Sequence, residues 1–121
     1  MCCKHILLVE DEFLVGMNIQ ITLRNAGFKV TGPAMKIEEA LLLIDENEFD
    51  GAVLDVNLGG NSSCEVATKL TELGIPFIFL TGYTRDNLPF DINDIMVLEK
   101  PFHDEKLIET VKGLWLENKN A

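Results

Sequence analysis

What most constrains this chain is a regular alternation of short, unbroken apolar runs with longer segments whose apolar residues recur every three or four positions. The short runs are Ile6 to Val9, Phe28 to Thr31, Ala52 to Leu54, Phe77 to Leu80 and Met96 to Leu98. Continuous hydrophobicity over so few residues suits parallel strands covered on both faces. Between them, helices are predicted from Glu12 to Ala26, along Ile37, Ala40, Leu41 and Ile44, along Val66, Ala67, Leu70 and Leu73, and along Leu107, Ile108, Val111, Leu114 and Trp115. Ser62 and Glu65 have the spacing of a capping box at the start of the third of these, and Gly74 followed by Pro76 should end it. The stretch Thr84 to Asp94 differs: Pro89 interrupts it, and Leu88, Phe90 and Ile92 keep no helical period. A short or poorly ordered helix is expected there.

Strand and helix in strict alternation predict an α/β fold, a doubly wound five-stranded parallel sheet of (βα)5 type with helices on both faces, forming a three-layer sandwich. At 121 residues the chain has room for one core, so residues 1–121 are read as a single domain. A hydrophobic fraction of 47% excludes a disordered acidic tail. With 20 acidic against 10 basic side chains, the net charge of -10 repels phosphate backbones and anionic headgroups, and the Lys and Arg residues are scattered singly. Neither direct nucleic-acid binding nor membrane association is expected. A cation or a basic partner fits this balance, as does solubility alone.

Cys2, Cys3 and Cys64 contain no Cys-x-x-Cys spacing and are too few for a disulfide scaffold, which points to a reducing cytoplasm. The first apolar run ends at Glu10, too soon for a signal peptide, and no run approaches the roughly 18 apolar residues of a membrane span.

In an open parallel sheet, ligands bind beyond the carboxyl ends of the strands. Here the first strand runs into Glu10 and Asp11, the third into Asp55, the fourth into Thr81, and the fifth into Lys100 and Pro101. Carboxylates gathered at one edge either keep a proton or hold a hard cation, and Mg²⁺ commonly joins one or two carboxylates to a phosphate. A metal beside Asp55 would let that carboxylate attack a phosphoryl group and form an acyl phosphate. Lys100 would supply positive charge, Thr81 a hydroxyl donor, and Gly82 open space. Asn57 could offer its carbonyl to the metal and its amide to the phosphoryl group. Taken singly these residues have ordinary readings: Asp11 as a helix cap, Thr81 and Lys100 as solvated side chains. His5 and His103 have no partner at ligand spacing and are read as surface or edge residues.

The ordered set Glu10-Asp11, Asp55 with Asn57, Thr81-Gly82 and Lys100-Pro101-Phe102 resembles the receiver domain of two-component response regulators, across essentially the whole chain. The resemblance implies a flavodoxin-like strand order 2-1-3-4-5. It implies that Asp55, assisted by Thr81 and Lys100, accepts a phosphoryl group from a histidine kinase or a histidine phosphotransfer protein. Asp11, Asp55 and the Asn57 carbonyl would ligate Mg²⁺, with Glu10 acting through water, and the bond before Pro101 would be cis. Such a domain catalyses only its own phosphorylation and hydrolysis. Two competing readings fit less well. An aspartyl-phosphate phosphatase of the haloacid dehalogenase type needs Asp-x-Asp after its first strand, and a flavodoxin-like carrier needs a Ser/Thr/Gly-rich loop there.

Departures from the pattern are informative. Glu10 stands where Asp is commoner, and Val97 stands where a receiver usually has the aromatic residue that follows the Thr81 hydroxyl. Any switch must then involve Thr81, Tyr83 and Val97 differently. The Thr81-Gly82-Tyr83 ending is similar to that of stand-alone receivers with a mobile fourth helix, so phosphorylation is expected to change the Thr84 to Asp94 surface. On the first helix, Val15, Ile19, Leu23 and Ala26 form the stripe expected to face the sheet. Phe13, Leu14, Met17 and Ile21 form a second stripe, expected to be exposed and assigned to kinase or phosphotransfer docking, with a weak homodimer as the other occupant and a monomer otherwise. No output domain follows within the 121 residues. A relay shuttle, a phosphate sink, a regulator of a downstream protein target and a fragment of a longer protein all remain open.

Overall fold

The computed structural model describes residues 4–58, 61–82 and 96–115. Its elements are β1 (His5–Val9), α1 (Phe13–Asn25), β2 (Lys29–Ala34), α2 (Ile37–Glu46), β3 (Gly51–Asp55), β4 (Asn57–Leu58), β5 (Asn61–Ser62), α3 (Cys64–Glu72), β6 (Phe77–Thr81), β7 (Met96–Glu99) and α4 (Asp104–Gly113). The main sheet has five strands in the order β2-β1-β3-β6-β7, and every pairing in it is parallel. With the small β4–β5 hairpin set aside, this is the expected 2-1-3-4-5 order. The segment 84–94, expected to form an irregular helix, lies outside the described residues.

Each central strand sends alternate side chains to opposite faces, and both faces are dry. Leu7 and Val9 of β1, Ala52 and Leu54 of β3, and Phe79 of β6 join Ala40 and Ile44 of α2 and Val66 and Leu70 of α3 in one core. Ile6, Leu8, Val53, Ile78 and Leu80 join Ile19 and Leu23 of α1 and Leu107 and Val111 of α4 in the other. Two cores sharing one sheet explain why the strands read as unbroken apolar runs. Burying a single Leu or Ile of this kind contributes about 1.5–3 kcal/mol.

Two helix boundaries carry local lessons. At the end of α3 the Ile75 N–H donates to the Leu70 carbonyl (2.9 Å) and the Gly74 N–H to that of Thr71 (3.1 Å). This paired closure needs a left-handed residue, and Gly74 supplies it at φ 73°. The start of α3 departs from expectation, because no side chain caps it in the Ser62–Glu65 manner. Instead the Ser62 hydroxyl accepts from the nearer Cys64 N–H (3.1 Å), and the Ser63 hydroxyl is drawn inward to donate to the Val56 carbonyl (3.1 Å). The hairpin preceding α3 takes up the residues a capping box would have used.

Helix α1 lies close to β2. A Cβ on Gly16 would sit 2.7 Å from the Pro33 Cβ, so only glycine allows this approach. Both Gly32-Pro33 and Lys100-Pro101 are cis peptides, the second as expected and the first not anticipated.

Candidate functional site

Four strand ends build the site. At the end of β1, the Glu10 N–H donates to the Ala34 carbonyl (2.9 Å), which ties the first acidic residue to the end of β2. Strand β3 ends at Asp55, and the next N–H, of Val56, donates to the Leu80 carbonyl in β6 (3.0 Å). Strand β6 ends at Thr81, whose carbonyl accepts from the Lys100 N–H (2.8 Å) just past β7. Backbone bonds thus hold all four ends at a common level, and the cis Lys100-Pro101 bond turns the chain there.

The side chains converge accordingly. The Lys100 ammonium donates to Asp55 Oδ2 at 3.0 Å and to Glu10 Oε1 at 3.1 Å, and stands 3.6 Å from Glu12 Oε1. Carboxylate oxygens of Glu10, Asp11 and Asp55 lie within 4.8 Å of one another. Glu10 is fully buried, Asp55 and Thr81 are almost so, and Asp11 is half-buried. A Cβ on Gly82 would meet no heavy atom within 4 Å among the described residues, and the segment 83–95 that follows it lies outside them.

Charge is unbalanced in this cluster. Burial, then the hydrogen bond to Asp55, then the charge of Asp55 push the Glu10 carboxyl from 4.5 up to about 7; the Glu12 N–H and Lys100 pull it down by less. For Lys100, burial acts to lower the pKa, but hydrogen bonds to and charges of Asp55 and Glu10 outweigh it. The net shift is upward, so the group stays an ammonium.

One cation is therefore too few for the carboxylates it meets. The donor set is all oxygen, hard and compact, which suits Mg²⁺ and argues against a soft metal. Glu10, Asp11 and Asp55 could hold such an ion.

The remaining expected residues are distributed as follows. Asn57 opens the β4–β5 hairpin two residues beyond Asp55, and its side chain lies outside the described set. Tyr83 lies outside it too. Val97 is half-buried against the α2–α3 core and pairs in register with Phe79, itself fully buried beside Phe77. Phe13, Leu14 and Ile21 are exposed at 57%, 81% and 51%, while Met17 is half-buried; Ile19 and Leu23 of the opposite stripe are buried. Phe13, Leu14 and Ile21 thus face outward from α1, opposite the stripe that packs on the sheet.

His5 bonds to the Glu48 carbonyl and the Thr31 hydroxyl at the other end of the sheet, at 2.9 and 2.7 Å. Sequence reasoning did not assign Glu12 a role. Its only signal was being the third acid in succession after β1.

The sequence matches the family profile described as the response regulator receiver domain over residues 6–112. The chain belongs to the response regulator receiver family. Among solved structures, this receiver is similar to SdrG from Sphingomonas melonis Fr1, with 34% identity and a TM-score of 0.81, covering 94% of this chain and 98% of that one. It is also similar to a response regulator receiver protein from Sinorhizobium medicae WSM419, at 27% identity and TM-score 0.79, covering 93% and 94%. Among curated proteins it is similar to the sensory transduction protein LytT of Bacillus anthracis, 29% identical over 88% of this chain and 45% of that one. The chain spans about half the length of the first curated relatives it matches. As a receiver it is a phosphoryl-accepting switch of two-component signalling. No helix among the described residues is long and apolar enough to cross a membrane.

Proposed function

We propose that Asp55 is the phosphoryl acceptor of this receiver and that the domain catalyses its own phosphorylation and hydrolysis. A carboxylate oxygen of Asp55 attacks phosphorus as the bond to the donor breaks. With a phosphohistidine donor, the imidazole nitrogen leaves and takes up a proton. Glu10, Asp11 and Asp55, with the Asn57 carbonyl, would hold Mg²⁺, which supplies positive charge to the phosphoryl oxygens when bound. Lys100 already bonds to Asp55 and turns to a phosphoryl oxygen as that carboxylate becomes an acyl phosphate. Thr81, at the end of the neighbouring strand, donates its hydroxyl to another.

The single observation that carries this reading is the Lys100 ammonium bridging Asp55 and Glu10 at 3.0 and 3.1 Å beside a third carboxylate. A cation fixed on the nucleophile is what a transferring phosphoryl group requires, and a purely structural ion pair would not need the extra acids.

The phosphoryl source in this reading is a histidine kinase or histidine phosphotransfer protein, docking a helix on Phe13, Leu14, Met17 and Ile21. The domain works in the cytoplasm and acts on a separate protein target. Thr81 and Tyr83 relay the phosphorylated state to 84–94, since Val97 offers no aromatic ring to move. Incubation with Mg²⁺ and acetyl phosphate followed by intact mass tests the acceptor: one phosphoryl adduct is expected for the unaltered protein and none for Asp55→Asn. An unchanged adduct in Asp55→Asn would refute the reading.

A further inference from the structure

Glu12 has an unusual position for its residue type. It is the N-cap of α1, where an acidic or hydroxyl side chain ordinarily accepts a hydrogen bond from an N–H of the first turn, yet its side chain makes no such bond. Its own N–H donates instead to Glu10 Oε2 at 3.1 Å. Its carboxylate lies 3.6 Å from the Lys100 ammonium, on the solvent side, with 65% of the side chain exposed. Lys100 thus faces two buried carboxylates inside and one exposed carboxylate at the rim.

From this geometry we infer that Glu12 is a positioning and selectivity residue: it holds Lys100 toward the mouth of the pocket and screens phosphodonors by their charge. The inference rests on the phosphoacceptor reading of Asp55 and extends it to the choice of donor. A phosphoryl donor that engages Lys100 comes close to the Glu12 carboxylate, which stands 3.6 Å from that ammonium, and draws Lys100 away from it. A donor carrying more negative charge is repelled more strongly, so the rim charge favours donors whose leaving group is neutral or cationic. A phosphorylated imidazole is of that class, whereas an acyl phosphate is not. Glu12 thereby suppresses labelling by small acyl phosphates more than transfer from phosphoramidate-type nitrogen donors.

The test compares acetyl phosphate with phosphoramidate, which carries one negative charge fewer at neutral pH, using the whole chain with saturating Mg²⁺. In the first reaction the Asp55 oxygen–phosphorus bond forms as the bond to acetate oxygen breaks, and acetate leaves as an anion. In the second the phosphorus–nitrogen bond breaks and the nitrogen leaves as protonated ammonia.

For Glu12→Gln the labelling rate with acetyl phosphate, read by intact mass, rises roughly two- to fivefold at low ionic strength, the scale of a solvent-exposed charge contact. The rate with phosphoramidate changes less. The gain disappears at about 1 M salt, where the screening length is about 3 Å. Glu12→Asp, which keeps the charge, retains the donor ratio of the unaltered protein. In the metal-free protein, NMR of the Lys100 Cε–Nζ group shifts on Glu12→Gln.

An equal effect on both donors, or a gain that survives high salt, overturns the inference. So does an unmoved Lys100 resonance. If the unaltered protein takes up no label from either donor, the acceptor reading falls and this inference with it. If it labels normally with an unchanged donor ratio in Glu12→Gln, the inference alone falls.

Discussion

Replacing Glu10 by Gln should make the metal-free domain more stable at alkaline pH. Glu10 is fully buried, and its carboxyl is pushed from 4.5 to about 7, first by burial and then by Asp55. A raised carboxyl pKa means the folded state binds more protons than the unfolded one between those two values. Its stabilising contribution is complete below about 4.5 and is lost as pH rises through about 7. The rise from 4.5 to about 7 sets an upper bound of about 3 kcal/mol on the cost of keeping Glu10 ionised at about pH 8.

Gln keeps the shape and an acceptor for the Glu12 N–H, and loses one ionic partner of Lys100. That loss offsets part of the gain, leaving roughly 1–3 kcal/mol. Urea unfolding in chelator at several values between about pH 5 and 8 reads the difference directly. The advantage of Glu10→Gln should grow with pH across that range. Added Mg²⁺ should then stabilise the unaltered protein more than the variant, since a bound cation relieves the same repulsion. A pH-independent difference, or a variant less stable at about pH 8, would refute the reasoning.

Other outcomes follow from packing and surface geometry. Leu107→Ala empties a fully buried site between α4 and the sheet and should cost about 2–5 kcal/mol in urea unfolding. Gly16→Val must displace Pro33, so it should lower the unfolding free energy measured in urea by about 1–3 kcal/mol despite removing a helical glycine. By contrast Lys69→Ala breaks a 3.3 Å pair with Asp45 that is open to solvent, and its effect should stay within about 1 kcal/mol. Joint Ile21→Ser and Leu14→Ser substitution on the exposed face of α1 should leave acetyl phosphate labelling intact and slow transfer from a cognate kinase; equal loss of both would reject docking there.

Much of this organisation was legible because two periodicities dominate it. Dry faces on both sides of the sheet leave strands such as Leu7–Val9 and Ala52–Leu54 continuously apolar, and Val15, Ile19 and Leu23 mark the inner side of α1 by spacing alone. The site was legible for a related reason: parallel strands all end at one edge, so a polar residue after each apolar run becomes a neighbour of the others. What escaped depended on short-range backbone geometry. The β4–β5 hairpin is two residues a side, too brief for any pattern, and it diverts Ser62 and Ser63 from the expected cap. The close approach of Pro33 in β2 to Gly16 in α1 joins segments distant in sequence, which no local pattern shows. Glu12 likewise gains meaning only when Lys100, remote in sequence, arrives beside it.

The most direct test of the central claim is chemical trapping of the acyl phosphate. After incubation with Mg²⁺ and acetyl phosphate, borohydride reduces a phosphorylated aspartate to homoserine, and peptide mass mapping then locates it. Homoserine at position 55, dependent on both donor and Mg²⁺ and abolished by chelator, is the predicted result. Homoserine at another position, or at 55 in equal amount with chelator present, would contradict the account.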